Sequence, residues 1–298
     1  MMDGFLNINK SPGMTSYDVI RQLKKILPPS TKIGHLGTLD PMASGVLPIA
    51  VGQATKIISY IDNESKAYIA EMVIGGISDT QDAWGNINCT GNVTFEDSRL
   101  EVVLDKYRGI IKQIPPMYSA VHYQGQRLYE LARKGIIVER EPRTVEIKKL
   151  EVLQIDKDND LPRIKLYVQC SRGTYIRTLC HDLGMELETG AYMSELVRVK
   201  SGVFTLEDSY KIEDIKSREE LQKILLPLDY PLAHLDSYYL RYEKELKAVK
   251  NGNIIKYRGN LPSTDKVKIY WENSLLAIGV LLQKDDGKFL KPEKVIRV

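Results

Sequence analysis

Cysteine is scarce in this chain: three in 298 residues, at positions 89, 170 and 180, with no C-x-x-C pair. An odd, widely spaced set argues against a disulfide framework and offers no zinc site, leaving buried free thiols as the expectation. Long apolar runs are missing too. None approaches the ~18 residues of a membrane span, since even Val46 to Val51 is followed by Gly52-Gln53 and then Thr55-Lys56. The amino terminus, Met1-Met2-Asp3-Gly4-Phe5-Leu6-Asn7, has no basic run ahead of an apolar core. No secretory signal is therefore expected, and the cytoplasm is the expected location. Internal repeats and low-complexity tracts are also lacking.

What is present is an ordinary globular composition, 43% hydrophobic and 27% charged, too apolar for a disordered chain. The length exceeds the usual ~100 to 200 residues of one domain, so a large domain plus a small one is expected. Net charge is only +3, but it is unevenly spread. Between Lys106 and Lys149, ten Lys or Arg stand against four Glu, an excess of +6 within one window. Basic faces are often mere solvated surface, yet Tyr107, Tyr118, His122, Tyr123 and Tyr129 are interleaved here. Aromatic faces and guanidinium planes are what unstacked RNA bases pack against, so an RNA partner is favoured.

Periodicity places the elements. Gly4 to Asn9 alternates like a strand, and Thr15-Ser16 caps a helix with Val19, Ile20, Leu23, Ile26 and Leu27 on one face, ended by Pro28-Pro29. Val46 to Val51 reads as a buried strand, Thr55 to Ile61 as a short helix and Ala67 to Ile74 as a strand. A helix runs from Asp97 or Ser98 to about Tyr107, and another from Gln126 to Lys134, closed by Gly135. Thr144 to Ile155 and Arg163 to Cys170 read as strands. Thr174 is the expected cap of a helix with apolar face Ile176, Leu179, Leu183 and Leu187, which puts Tyr175 and Arg177 in its first turn. Ala191 to Val199 looks like a strand, Ile212 to Leu225 like a polar helix, and Pro227 and Pro231 mark a junction. A helix to Asn251 and short strands complete a small carboxy-terminal unit.

Residues 34–45, GHLGTLDPMASG, put one imidazole and one carboxylate on a glycine-punctuated loop. Pro41 stiffens the chain directly after Asp40, which lowers the entropy cost of holding that carboxylate in place. Alone, Leu-Asp-Pro is more often a turn than a reactive site. Other blocks follow in order: Lys66-Ala67-Tyr68, Asp79-Thr80-Gln81-Asp82-Ala83-Trp84-Gly85, Pro115-Pro116-Met117-Tyr118-Ser119-Ala120, Arg127-Leu128-Tyr129-Glu130-Leu131-Ala132-Arg133, and Cys170-Ser171-Arg172-Gly173-Thr174-Tyr175-Ile176-Arg177. Together with Gly34 to Lys56, these blocks resemble the bacterial TruB family of tRNA pseudouridine-55 synthases. Ordered blocks across nearly the whole chain are far more specific than one short motif.

The resemblance implies an α+β pseudouridine-synthase fold, with a mixed, mainly antiparallel central sheet flanked by helices. It implies a catalytic domain over residues 1–230, with a thumb-like basic insertion at about 113–146, and a PUA-like RNA-binding β domain over 231–298. The implied activity is isomerisation of uridine 55 in the T loop of tRNA, by base flipping and an aspartate nucleophile, with no cofactor and no metal. Asp40 would be that nucleophile, dividing one hard step into two. Arg177 would pair with it and hold it aimed. Tyr68 would stack on the extruded uracil and offer its hydroxyl for proton transfer. Tyr175 and Leu196 would line the base pocket, and His35 would occupy the space the flipped nucleotide leaves. Lys10, Arg127 and Arg133 are the further residues expected to touch RNA.

Two departures from the family pattern stand out. The usual Lys-Pro-x-Gly becomes Lys10-Ser11-Pro12-Gly13, which alters the local loop, and His122 stands where lysine is common. His181-Asp182 with Glu186 lacks a second ligand at metal spacing and reads as helix surface. The expected partner is the T arm and elbow of tRNA, with no membrane and no obligatory protein partner. The rival readings are a non-catalytic tRNA-binding or folding protein and a guide-RNA-dependent pseudouridine synthase. Binding alone requires none of the Asp40, Tyr68 and Arg177 trio, and the basic insertion resembles the stand-alone form.

Overall fold

A computed structural model describes residues 2–62, 65–89, 91, 93–259, 264–285 and 287–296. Among them a 10-stranded sheet forms the frame. Its main path runs Tyr210–Lys211, Gly4–Lys10, Ser44–Val51, Ala191–Ser201, Ser65–Ile74, Arg163–Ser171, Arg143–Asp156 and Gly109–Gln113. Ile33–His35 and Phe204–Thr205 pair at its side. Two pairings are parallel, Gly4–Lys10 with Tyr210–Lys211 and Ser44–Val51 with Ala191–Ser201. The others in this sheet are antiparallel, so it is the mixed, mainly antiparallel sheet that was expected.

Helices Ser16–Ile26, Asp97–Lys106 and Ile176–Glu186 supply the apolar stripes that cover one face of this sheet. In the first, Val19, Ile20 and Leu23 are buried. Thr15 and Asp18 close a reciprocal capping box, which satisfies two amide groups the helix would otherwise leave orphaned. The core beneath joins Leu6, Ile49, Tyr68, Met72, Leu166, Leu179 and Leu196. Each fully buried Leu or Ile there contributes about 1.5–3 kcal/mol.

A second sheet of five strands runs Asp236–Tyr239, Lys266–Trp271, Ser274–Lys284, Gly287–Val295 and Ile255–Lys256. It begins close to the expected junction and buries a core of its own, with Tyr238, Val249, Val267, Ile269, Leu276 and Leu290, but it also packs against the larger sheet. Leu232, Leu235, Tyr270, Leu275, Ile278 and Ile296 share one buried cluster with Phe5, Leu36, Val46, Ala50 and Phe204 of the larger sheet. The Tyr270 hydroxyl donates to Asp229 at 2.5 Å beside that seam.

Four local expectations change. Tyr175, not Thr174, is the residue preceding the helix Ile176–Glu186, because the Thr174 hydroxyl donates to the Ser171 carbonyl at 2.9 Å instead. The polar stretch 212–225 breaks into Ile212–Asp214 and Arg218–Lys223, since Ser217 starts a new capping box with Glu220. Leu128–Ala132 is shorter than the expected helix because His122–Tyr123 and Gln126–Arg127 form a small hairpin ahead of it. Residues 52–60 are two 3-10 turns. No helix among the described residues is long and apolar enough to cross a membrane.

Candidate active site

The loop carrying Asp40 is pinned on both sides of the carboxylate. Before it, the Leu39 amide donates to the Ser16 hydroxyl at 2.8 Å, and that hydroxyl lies 3.1 Å from the Leu39 carbonyl. After it, the Pro41 carbonyl accepts from the Gly13 amide at 2.8 Å and from Lys10 Nζ at 3.4 Å. Gly45, at φ +101°, lies so close to the strand Ala191–Ser201 that a Cβ there would stand 2.3 Å from the Arg198 carbonyl oxygen. Only glycine fits such an approach in that conformation. Asp40 itself stays 37% exposed at the side chain, on a backbone with little freedom.

Arg177 gathers the surrounding segments. Its Nε donates to Asp40 Oδ2 at 2.8 Å, one terminal nitrogen to the Thr80 carbonyl at 3.0 Å and the other to the Tyr118 carbonyl at 2.8 Å. Asp82 Oδ2 lies 3.6 Å from the same guanidinium. The other oxygen of Asp82 accepts from the Thr80 hydroxyl at 2.7 Å and the Trp84 amide at 3.0 Å. A desolvated arginine is tolerated when its donors are all met, and here its planar fork meets two carboxylates and two carbonyls. One side chain thus ties together the Asp40 loop, the residues 79–85 turn and the root of the basic insertion.

Tyr68 is 7% exposed and faces Arg198 across the sheet. Burial raises its phenol pKa, against the opposing pull of the Arg198 charge. Arg198 has no exposed surface. It donates to the carbonyls of Val46, Thr38 and Gly37 at 2.7, 3.2 and 3.1 Å, so it braces the Asp40 loop from beneath while lending positive charge to Tyr68. Leu196, two residues before Arg198 on the same strand face, is buried with Tyr68 and Leu39. His35 is half-buried, its Nδ1 has no hydrogen-bond partner among the described residues, and burial together with Arg198 lowers its pKa.

Tyr175 is latched in two directions. Its amide donates to Gln113 Oε1 at 2.8 Å, and Gln113 Nε2 donates to its carbonyl at 3.0 Å. Arg127 and Arg133 are exposed, with their guanidinium groups 6.0 and 5.4 Å from the Tyr129 ring. Lys10 differs most from expectation. It has no exposed surface, and its ammonium donates to the Ser11 and Met14 carbonyls at 3.0 and 2.7 Å as well as to Pro41. In this geometry it holds the loop rather than facing solvent. His181 and Asp182 are half-buried rather than free helix surface, and burial pushes the Asp182 carboxyl up to about 6.

Sequence reasoning missed Arg198, Gln113, Ser16 and the part played by Asp82. Arg198 was the most findable, because an arginine two positions after Leu196 on a strand shares its inward face. Gln113 and Ser16 carry no local signal.

The description "TruB family pseudouridylate synthase (N terminal domain)" matches residues 24–176. The description "tRNA pseudouridylate synthase B C-terminal domain" matches residues 177–233. A protein named tRNA pseudouridine synthase B from Syntrophomonas wolfei subsp. wolfei is 51% identical, over 100% of this chain and 99% of its own. One of the same name from Heliobacterium modesticaldum is 42% identical, over 99% of this chain and 95% of its own. Among solved structures, a Cbf5-Nop10-Gar1 complex contains a chain that superposes with a TM-score of 0.72 at 28% identity, over 98% of this chain and 84% of that one.

Proposed function

The chain belongs to the TruB family of pseudouridylate synthases, and we propose that it converts uridine 55 in the T loop of tRNA to pseudouridine. The observation that carries this is the Asp40–Arg177 pair, a half-exposed carboxylate aimed by a buried arginine. The target base leaves its stack, at a cost of a few kcal/mol, and enters the space bounded by Tyr68, Leu196 and Tyr175. Asp40 attacks as nucleophile, and the covalent bond it forms to the nucleotide breaks again before the product leaves, so the carboxylate is regenerated. The bond from ribose C1′ to N1 breaks, the uracil turns, and C1′ joins C5. The proton on C5 then leaves while N1 gains one, so the product is an isomer of the substrate.

Tyr68 stacks on the uracil, and its hydroxyl relays the C5 proton. Burial favours the neutral phenol at rest, and the nearby Arg198 stabilises negative charge on its oxygen as the proton moves. His35, with its pKa lowered, is a neutral imidazole able to stack where the base had been. Arg127 and Arg133 present flat cationic surface on Tyr129 to the RNA. Every reacting group in this scheme is a side chain of the protein, so it uses no cofactor. Residues 1–230 serve as the catalytic domain, with the insertion at about 113–146 gripping the T arm, and residues 231–298 as a second RNA-binding unit.

The deciding experiment incubates purified protein with an unmodified T-arm stem-loop and maps pseudouridine. Wild type is expected to modify one uridine unaided, and Asp40→Asn to bind without product. Turnover by Asp40→Asn near the wild-type rate removes Asp40 as nucleophile. Binding without turnover by wild type favours a non-catalytic binder, and activity only with added guide RNA and partner proteins favours the guide-dependent class.

A further inference from the structure

Among the described residues Lys66 has no counterion, and it stands in a place that disfavours a cation. It lies on the strand Ser65–Ile74 two residues before Tyr68, hence on the same face and about 7 Å along it. The side chain is half-buried, and its Nζ lies 3.0 Å from where a Cβ on Gly37 would stand. Among the described residues no carboxylate pairs with it. The titratable groups acting on it are the cations Arg198 and Arg172 and the Cys170 thiol. Burial pushes that thiol up to about 11, so it is neutral. Burial also takes Lys66 from the ordinary 10.5 down to about 8.

Neither neighbouring arginine relieves this charge. Arg198 spends its guanidinium on three backbone carbonyls. Arg172 is exposed in the turn after Arg163–Ser171 and makes no ion pair among the described residues. Desolvating an ammonium among like charges is costly, and the cost is offset when an anion arrives. Gly37 leaves the way to Nζ open, because any side chain there would block it. Cys170 pairs with Lys66 and Ser171 with Ser65, so Arg172 leaves the sheet next to the strand end that carries Lys66. An ammonium with a guanidinium there suits a phosphate oxygen rather than the flat face of a base.

We propose that Lys66 and Arg172 form a seat for one phosphodiester of the RNA, the linkage flanking the nucleotide turned towards Asp40, reached across Gly37. The assignment rests on the RNA-isomerase reading and adds a backbone anchor to it. Holding that phosphate fixes the sugar relative to Asp40 while Tyr68, next along the strand face, receives the base.

The test compares T-arm stem-loops that carry a single neutral methylphosphonate at each loop linkage in turn. Wild type is expected to lose about tenfold in affinity at one linkage beside the target uridine. Lys66→Met is expected to lose about tenfold on natural RNA, to show a salt slope shallower by about one, and to be indifferent to the replacement at that linkage. Arg172→Gln, at an exposed position, should show the same loss of sensitivity and decides the matter if Lys66→Met does not fold. Losses that multiply at every linkage would mean that Lys66 only props the Gly37 turn, and unchanged affinity would equally overturn the seat. Wild-type protein that converts the stem-loop without this coupling sinks the seat alone. Protein that neither binds nor converts it sinks the RNA-isomerase reading as well.

Discussion

The Nε–H of Arg177 reaches Asp40 Oδ2 at 2.8 Å from a guanidinium only 5% exposed, joining two residues 137 positions apart. The same group reaches Thr80 and Tyr118, so the direction in which Asp40 points depends on three segments at once.

Arg177→Lys keeps the charge but cannot span four acceptors, because an ammonium offers no planar fork. Turnover should fall about a hundredfold with little change in RNA affinity, since the lost contact orients a reacting group. Single-turnover kinetics with a T-arm stem-loop check this. A purely weakened KM would contradict it.

Gly45→Ala should destabilise the protein by about 2–4 kcal/mol. Its φ of +101° and the Arg198 carbonyl 2.3 Å from the added Cβ act together, and the clash is with backbone, which cannot swing aside. Urea denaturation measures the loss. An effect under about 0.5 kcal/mol would mean that the loop is not held against that strand.

Lys66 and Lys10 both fall to about 8, burial being the main cause. Asp40 and Asp18 oppose the shift at Lys10, while Arg198 adds to it at both. In the unfolded chain each returns to the ordinary 10.5. Between about 8 and 10.5 the unfolded state therefore holds more protons, and stability rises with pH through that window. Below about 8 the penalty is fully present. Lys66→Met should thus raise stability at pH ~7 by on the order of 1 kcal/mol, with the gain over wild type shrinking towards pH ~10 as wild type sheds the charge itself. Thermal melts of both proteins across this range test the sign. A gain that grows with pH would contradict it.

The basic window divides into engaged and available charge. Lys106, Arg108, Lys148 and Lys149 are taken by Glu186, Glu101 with Asp105, Glu146 and Glu151, and Arg140 donates to the Pro115 carbonyl. Lys112, Arg127, Arg133, Lys134 and Arg143 form no ion pair among the described residues. Replacing Arg127 and Arg133 together should flatten the dependence of log affinity on log salt by about two, whereas Lys148→Gln with Lys149→Gln should change it little. Filter binding at several salt concentrations separates the two sets. Equal slopes would mean that pairing within the protein does not decide which cations meet RNA.

Much of this was legible beforehand because it is local. Alternation and one buried apolar run marked six strands of the 10-stranded central sheet, but not Ile33–His35, Gly109–Gln113, Phe204–Thr205 or Tyr210–Lys211. Thr15 announced the first helix through its own hydroxyl. The glycines and Pro41 marked residues 34–45 as a presenting loop before any partner was visible. Arg177 needed the resemblance to the family, since a lone arginine in a first helical turn has no spacing signal. Lys10 was expected to touch RNA, and its part as an interior brace was hidden because hydropathy cannot register three carbonyls converging on one ammonium. The seam between the two sheets was also hidden, as Phe5 and Ile278 read as ordinary strand residues in separate units.

The sequence by itself determined where the longer central strands, the Thr15 cap and the reactive loop lie, and which residue types were available for chemistry. Those properties follow from backbone dihedrals, side-chain period and turn stereochemistry, all set within a few residues. Only the tertiary structure decided that Arg177 meets Asp40, that Arg198 and Lys10 are interior braces, and that Lys66 meets no carboxylate among the described residues where it lies beside Gly37. Burial and charge compensation depend on which distant segments the sheet register brings together, and no window of the chain contains that information.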